Sequence, residues 1–141
     1  MMGYIKKWYI ALVAVGVILL LAVTFLFQAL TIYSCEVVTK EAGSAIGIAP
    51  FTDRIDFGDV PQGATVGRTI VLENAGAVPN QVIIFIIGNI GDLVKVQPGS
   101  VTLEPGETAE VDFVLTMPTS ATPERQYFGR VFLLRLPMGV W

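Results

Sequence analysis

From Trp8 to Phe27 the chain offers no polar face at any helical period: Thr24 is the single polar side chain, and no charge follows Lys7 until Glu36. Leu, Ile, Val and Phe occupy every side of the helix that this pattern predicts, which leaves lipid as its solvent. About 20 such residues at roughly 1.5 Å each span roughly 30 Å, the thickness of bilayer hydrocarbon. A transmembrane helix is expected over residues 8–33. Lys6 and Lys7 stand before it, whereas Glu36, Lys40 and Glu41 follow. That asymmetry predicts a single-pass protein of the cell membrane, with residues 1–7 cytoplasmic and everything after about residue 34 outside. Trp8 and Tyr9 at one end, with Phe25, Phe27 and Tyr33 toward the other, are the expected anchoring side chains.

A cleaved secretory signal would have a shorter apolar region and a small-residue exit, so an uncleaved anchor is expected. Ile32-Tyr33-Ser34-Cys35 has only a faint likeness to a lipoprotein cleavage box, and Tyr33 fits it poorly. Ala11, Val15, Ile18, Ala22, Phe25 and Ala29 share one helix face. Three of the six are small, as in faces that admit a second helix, but no Gly-xxx-Gly accompanies them and simple lipid exposure explains the set.

Beyond the helix the period changes. Residues 34–45 mix small side chains and both charges and read as a spacer. From Ile46 to Leu136, runs rich in Val, Ile, Phe and Thr alternate with Pro and Gly turns, and no amphipathic helix occurs. The expected strands are a broken first one at Ile46–Ala49 and Arg54–Phe57, then Thr65–Asn74, Gln81–Ile87, Leu93–Gln97, Ser100–Leu103, Ala109–Thr116 and Tyr127–Leu136. In Ala109–Thr116, Val111, Phe113 and Leu115 point one way and Glu110 and Asp112 the other. About seven short strands spaced this way predict an all-β immunoglobulin-like sandwich over residues 46–136, with an apolar tail at 137–141.

Two strands break the alternation. Val82-Ile83-Ile84-Phe85-Ile86-Ile87 is apolar on both faces, and the last strand carries Phe128, Phe132 and Leu134 opposite Val131 and Leu133. In an immunoglobulin arrangement the third, sixth and seventh strands share a sheet. Its outer face would then present Ile83, Phe85, Ile87, Val114, Phe132 and Leu134, a patch that a soluble monomer seldom leaves wet. These residues, with Trp141 of the tail, form the candidate partner interface, and Phe85 and Phe132 are its expected anchors. Coverage by the tail Pro137–Trp141 itself is the alternative.

Charge and composition narrow the chemistry. Of nine basic and twelve acidic residues, Lys6 and Lys7 precede the span, leaving seven against twelve and a net charge of −5 outside. That sign disfavours nucleic acid and anionic lipid surfaces. There is no histidine and one cysteine, so ordinary zinc, haem and copper sites, and Ser-His or Cys-His pairs, lack their groups. No cofactor, metal or catalytic residue is assigned, and no enzymatic activity is expected. Cys35 cannot form an internal disulfide; acylation and linkage of two copies are formal options, and an inert thiol is the simpler one. Asp53, Asp56 and Asp59 recur every three residues, but an extended chain sends them to alternate sides, unlike a calcium loop.

Four motifs in order, Phe57-Gly58-Asp59-Val60-Pro61-Gln62-Gly63, Leu72-Glu73-Asn74-Ala75-Gly76, Leu103-Glu104-Pro105-Gly106-Glu107 and Tyr127-Phe128-Gly129-Arg130-Val131, resemble those of the ASH/HYDIN and major-sperm-protein-like immunoglobulin domains. The resemblance covers about residues 46–136 and implies a binding or structural module without an active site, although a single copy on an anchor departs from the tandem arrays of that family. The expectation is an accessory subunit of a membrane or cell-envelope complex, with the lipid bilayer and other membrane or envelope proteins as partners and homo-oligomerisation an option. An apolar helix followed by a β-sandwich is also similar to archaeal pilins, archaellins and the β-sandwich stator proteins of the archaellum, so a surface-filament component is the second expectation. The pilin form is weakened because Met1–Trp8 lacks the basic, Gly-containing cleavage motif of such precursors. An enzyme or metal-delivery subunit is a third and remote one.

Overall fold

The computed structural model describes residues 2–43 and 54–139. Its first element, α1 (Met2–Ala29), contains the 23-residue stretch Lys7–Ala29, long and apolar enough to cross a membrane, at about 34 Å. Leu12, Leu19, Leu20 and Phe27 are all more than half exposed. Thr24 does not leave its hydroxyl unpaired: Oγ1 donates back to the carbonyls of Leu20 (3.1 Å) and Leu21 (2.9 Å), the usual accommodation of a hydroxyl in an apolar helix.

The helix stops at Ala29, four residues short of the expected end, and the chain enters strand β1 (Leu30–Lys40) at once. Cys35, Val37 and Thr39 are buried while Ser34, Glu36, Val38 and Lys40 alternate with them on the other face. The expected spacer is therefore mostly a strand of the domain. Tyr33 packs against the domain core and lies on a strand, outside the helix where an anchoring role was expected. The physical cause is the β-branched and aromatic run Thr31-Ile32-Tyr33 followed by a period of two, which favours extended chain as soon as the uniformly apolar segment ends.

The remaining strands are β2 (Arg54–Pro61), β3 (Thr65–Glu73), β4 (Asn80–Gly88), β5 (Val94–Gln97), β6 (Ser100–Leu103), β7 (Thr108–Thr116) and β8 (Gln126–Pro137). They agree with the expected strands to within a few residues, except that Ile46–Ala49 lies outside the described residues. A five-stranded sheet runs β2-β1-β8-β4-β6 and a three-stranded one β3-β7-β5. β1 pairs parallel with β2, with an irregularity between Glu36 and Val38. β4 is antiparallel to β8 and to β6, and β7 is antiparallel to β3 and β5. The Thr39 N–H donates to the Arg125 carbonyl (2.9 Å) and the Glu124 N–H to the Thr39 carbonyl (2.7 Å), so β1 ends where β8 begins.

One core lies between the sheets. Phe57, Val37, Leu133, Val131, Val82 and Leu103 come from the larger sheet, Phe113, Leu115 and Val111 from the smaller, and Ile90 and Met117 from loops. Buried Asn74 ties the sheets at one end. Its Nδ2 donates to the carbonyls of Val78 (2.8 Å) and Leu103 (2.9 Å), and its Oδ1 accepts from Gly76 N (3.0 Å) and Asn80 Nδ2 (2.8 Å). With its main-chain groups bonded to Glu107 and Gly106, this asparagine leaves no polar atom unpaired in the dry interior. At the other end Gly88 pairs with Gly129, where Ile90 crosses the strand ends. A Cβ on Gly129 would strike the Ile90 side chain and approach the Ile87 carbonyl at 2.9 Å, so this glycine of the fourth motif is required by a close crossing.

Because β1 is an interior strand of the larger sheet and supplies buried residues to the core, a fragment of residues 30–141 should unfold cooperatively in urea. One of residues 46–141, the boundary read from sequence, should lack a cooperative transition. Circular dichroism during the titration checks both.

Candidate interaction surface

The face of the five-stranded sheet turned away from the core is apolar along the β4–β8 ladder. Val82 and Ile84 on β4, and Val131 and Leu133 on β8, are buried inward, so the alternate residues point out. The outward rungs pair Gln81 with Leu136, Ile83 with Leu134, Phe85 with Phe132 and Ile87 with Arg130. At the middle rung the two phenyl rings stack, with centroids 5.2 Å apart and planes 6° from parallel. Phe85 is 40% exposed and Ile87 59%, so among the described residues nothing covers the centre of this ladder. Leu134 and Phe132 are half-buried by their neighbours.

Five of the expected interface residues, Ile83, Phe85, Ile87, Phe132 and Leu134, are thus adjacent on one face. Val114 is not among them. It lies on β7, paired with Gly67 and Lys95 in the three-stranded sheet. The expectation that the third, sixth and last strands share a sheet fails for β7, because β1 fills the position beside β8. Trp141 lies outside the described residues. Through Met138 the tail extends off the sheet, its N–H donating to the Pro79 carbonyl (2.8 Å), and does not turn back over the ladder.

Three further apolar side chains join the face, none of them among the expected interface residues. Ile32, 48% exposed, shares the parity of Ser34 and Glu36 on β1, the neighbour of β8; Leu136 continues the ladder. Ile32 falls within the span expected for the helix, and only the alternation from Cys35 to Thr39 extended backwards would have found it. Phe128, 53% exposed, completes the other end, where its N–H donates to Asn89 Oδ1 (2.7 Å).

Beside Phe128 the face opens into a cleft of about 240 Å³ lined by Glu36, Val38, Asp56, Gly58, Asp59 and Gln126. The carboxylates have their own partners. Asp56 Oδ1 accepts from Gly58 N (2.7 Å), Glu36 lies 3.7 Å from Arg54, and Asp59 lies 4.0 Å from Lys40, whose ammonium is bonded at 2.8 Å to Glu124. That hydrogen bond to Glu124 raises the Lys40 pKa above its usual value. No group of His, Cys, Asp and Glu among the described residues converges as metal ligands. Asp53, the first of the three spaced aspartates, lies outside them.

Cys35 is buried in the core, 1% exposed. Desolvation, reinforced by the charges of Asp56 and Glu36, pushes its thiol up from 9.0 to about 12. Such a thiol is neither nucleophilic at neutral pH nor within reach of a second chain.

Comparison with protein-family models and with curated proteins returns no match for this sequence.

The Cys35 environment has a measurable consequence. The folded thiol stays protonated where the unfolded one ionises, so its contribution to stability is complete below about pH 9 and is lost between about pH 9 and 12, at up to about 1.4 kcal/mol per pH unit. Urea denaturation of the chain should show this alkaline loss, Cys35→Ala should flatten it, and maleimide should label Cys35 only after unfolding.

Proposed function

We propose that this chain is a membrane-anchored accessory subunit: α1 crosses the cell membrane once with its N-terminus inside, and an extracytoplasmic immunoglobulin-like domain docks other membrane or envelope proteins. The observation that carries the reading is the outward ladder Ile83–Leu134, Phe85–Phe132 and Ile87, apolar where a free sheet face alternates to polar side chains. Its stacked rings form a flat, rigid centre, and aromatic anchors of that kind dominate protein interfaces. Arg130 and Glu36 near one end and Gln81 at the other supply a polar rim. The remaining features agree with a docking role and suggest no chemistry: the single thiol is buried, and the carboxylates near the face have cationic or main-chain partners.

Phe85 and Ile87 are exposed enough to be replaced without emptying the core. In mild-detergent purification followed by mass spectrometry, the wild-type chain should bring a reproducible set of membrane subunits, and Phe85→Lys with Ile87→Lys should lower their yield at least tenfold while urea midpoints stay close to wild type. Unchanged partners from the doubly substituted, folded protein would contradict docking through this face. Recovery as long homopolymers would instead identify a filament subunit.

A further inference from the structure

Among the described residues the two sheets end in four edge strands, β2, β6, β3 and β5, and three of them are poor templates for a further strand. β5 and β6 have four residues each. β2 ends at Pro61, passes through Gly58 at φ 70°, pairs irregularly with β1, and its Asp56 carbonyl already accepts from Arg68 Nε (3.0 Å). β3 differs. Its nine residues keep one unbroken register against β7, from Thr65–Thr116 to Glu73–Thr108, with no proline, lysine or bulge. Folded proteins seldom leave an edge of that kind unprotected.

The hydrogen bonds at the two ends of β3 fix which groups its free side presents. The Met117 N–H donates to the Ala64 carbonyl (2.9 Å) and the Asn74 N–H to the Glu107 carbonyl (3.0 Å), whereas Thr116, opposite Thr65, sends its N–H the other way, to Leu93 (2.9 Å). Bonded and non-bonded pairs alternate along an antiparallel ladder, so the even-numbered residues from 66 to 72 bond to β7. The N–H and C=O groups of Thr65, Gly67, Thr69, Val71 and Glu73 therefore point to the open edge. All of these residues are exposed, Val71 at 65%. Arg68, the inward cation that could guard the edge, is drawn to β2 by its bond to Asp56. Gly67 is a second, independent observation. Its φ is not positive, and a Cβ there would meet nothing within 4 Å, so neither backbone nor packing inside the chain calls for glycine. In a strand without a bulge, the remaining use of a glycine is the close approach of another backbone.

We propose that β3 pairs antiparallel with β3 of a second copy about a two-fold axis at Thr69, joining two three-stranded sheets into one continuous sheet. Thr69 then meets its own counterpart, Gly67 meets Val71, and Thr65 meets Glu73. The outward N–H groups of each copy donate to the outward carbonyls of the other. Val71 covers the bare main chain of the partner's Gly67. No like charges are opposed, because Glu73 lies across from Thr65 and Arg68 across from Ile70. The pairing uses the same patch on both copies, closes at two, and leaves the β4–β8 ladder of the other sheet free for different proteins.

The test uses the full-length chain in a mild detergent, with sedimentation equilibrium over a concentration series. The wild type should be a dimer. Thr69→Pro removes an N–H that makes no bond to β7, a loss that an edge strand tolerates. Thr69→Lys, at an exposed side chain that can be replaced without disturbing the core, sets two ammonium groups against each other at the axis. Each should raise the dimer dissociation constant at least tenfold while unfolding in urea stays cooperative, and the dimer should survive Phe85→Lys with Ile87→Lys. In a Cys35→Ala background, Thr69→Cys should form an intermolecular disulfide under mild oxidation at least tenfold faster than Glu110→Cys on β7, since paired Cα atoms about 5.5 Å apart suit such a bond. A monomeric wild type, a dimer unaffected by Thr69→Lys, or equal oxidation rates at 69 and 110 would overturn the proposal. Dissociation by the Phe85 and Ile87 changes alone would place self-association on the ladder and overturn it too.

Discussion

The junction between Ala29 and Leu30 joins two segments that need different surroundings, and the rest of the structure depends on how abruptly it does so. On one side every helical face is apolar over a length sufficient to cross a membrane. On the other, alternate residues are buried at once in a two-sheet core. In sequence, β1 of the larger sheet begins at Leu30, the residue after the helix ends. β1 is also an interior strand, lying between β2 and β8, and its inward residues Cys35, Val37 and Thr39 belong to the same core as Phe57 and Leu133.

That placement decides which surface is left over. With β1 beside β8, the smaller sheet takes β7, and Val114 goes with it. The larger sheet then presents an outer face whose middle is the β4–β8 ladder. The inner residues of those strands, Val82, Ile84, Val131 and Leu133, are needed for the core. The outer ones are not, and their apolar character has no use within the described chain. Phe85 and Ile87 remain exposed, and stacking on Phe132 removes only part of the first ring from water. Burial against a second surface would recover about 25 cal/mol for each Å² covered, before the costs of association. Such a gain is available to a docking partner.

Much of this was legible in the chain. The helix followed from an uninterrupted apolar run, and β7 from the clean alternation of Val111, Phe113 and Leu115 with Glu110 and Asp112. The double-sided hydrophobicity of Val82–Ile87 pointed to the outer face before any pairing was known. β1 was missed because its inward set includes Cys35 and Thr39, while Ser34, Glu36 and Lys40 opposite them gave it the composition of a spacer. Sheet membership was misread for a different reason. β7 alternates in the same way whichever sheet it joins, and pairing is decided by strands far away in sequence. Asn74 ends the expected strand Thr65–Asn74, and its four side-chain hydrogen bonds become visible only when Gly76, Val78, Asn80 and Leu103 are brought together.

If the outer ladder is a docking surface, protein covers the Phe85–Ile87 face in the native membrane. A photo-crosslinking amino acid introduced in place of Ile87, with a second chain carrying it in place of Lys95 on the smaller sheet, measures this directly in intact cells. Discrete protein adducts from position 87 and none from position 95 are expected. Adducts only to lipid, or no adducts from position 87 in a folded chain, would contradict the docking role.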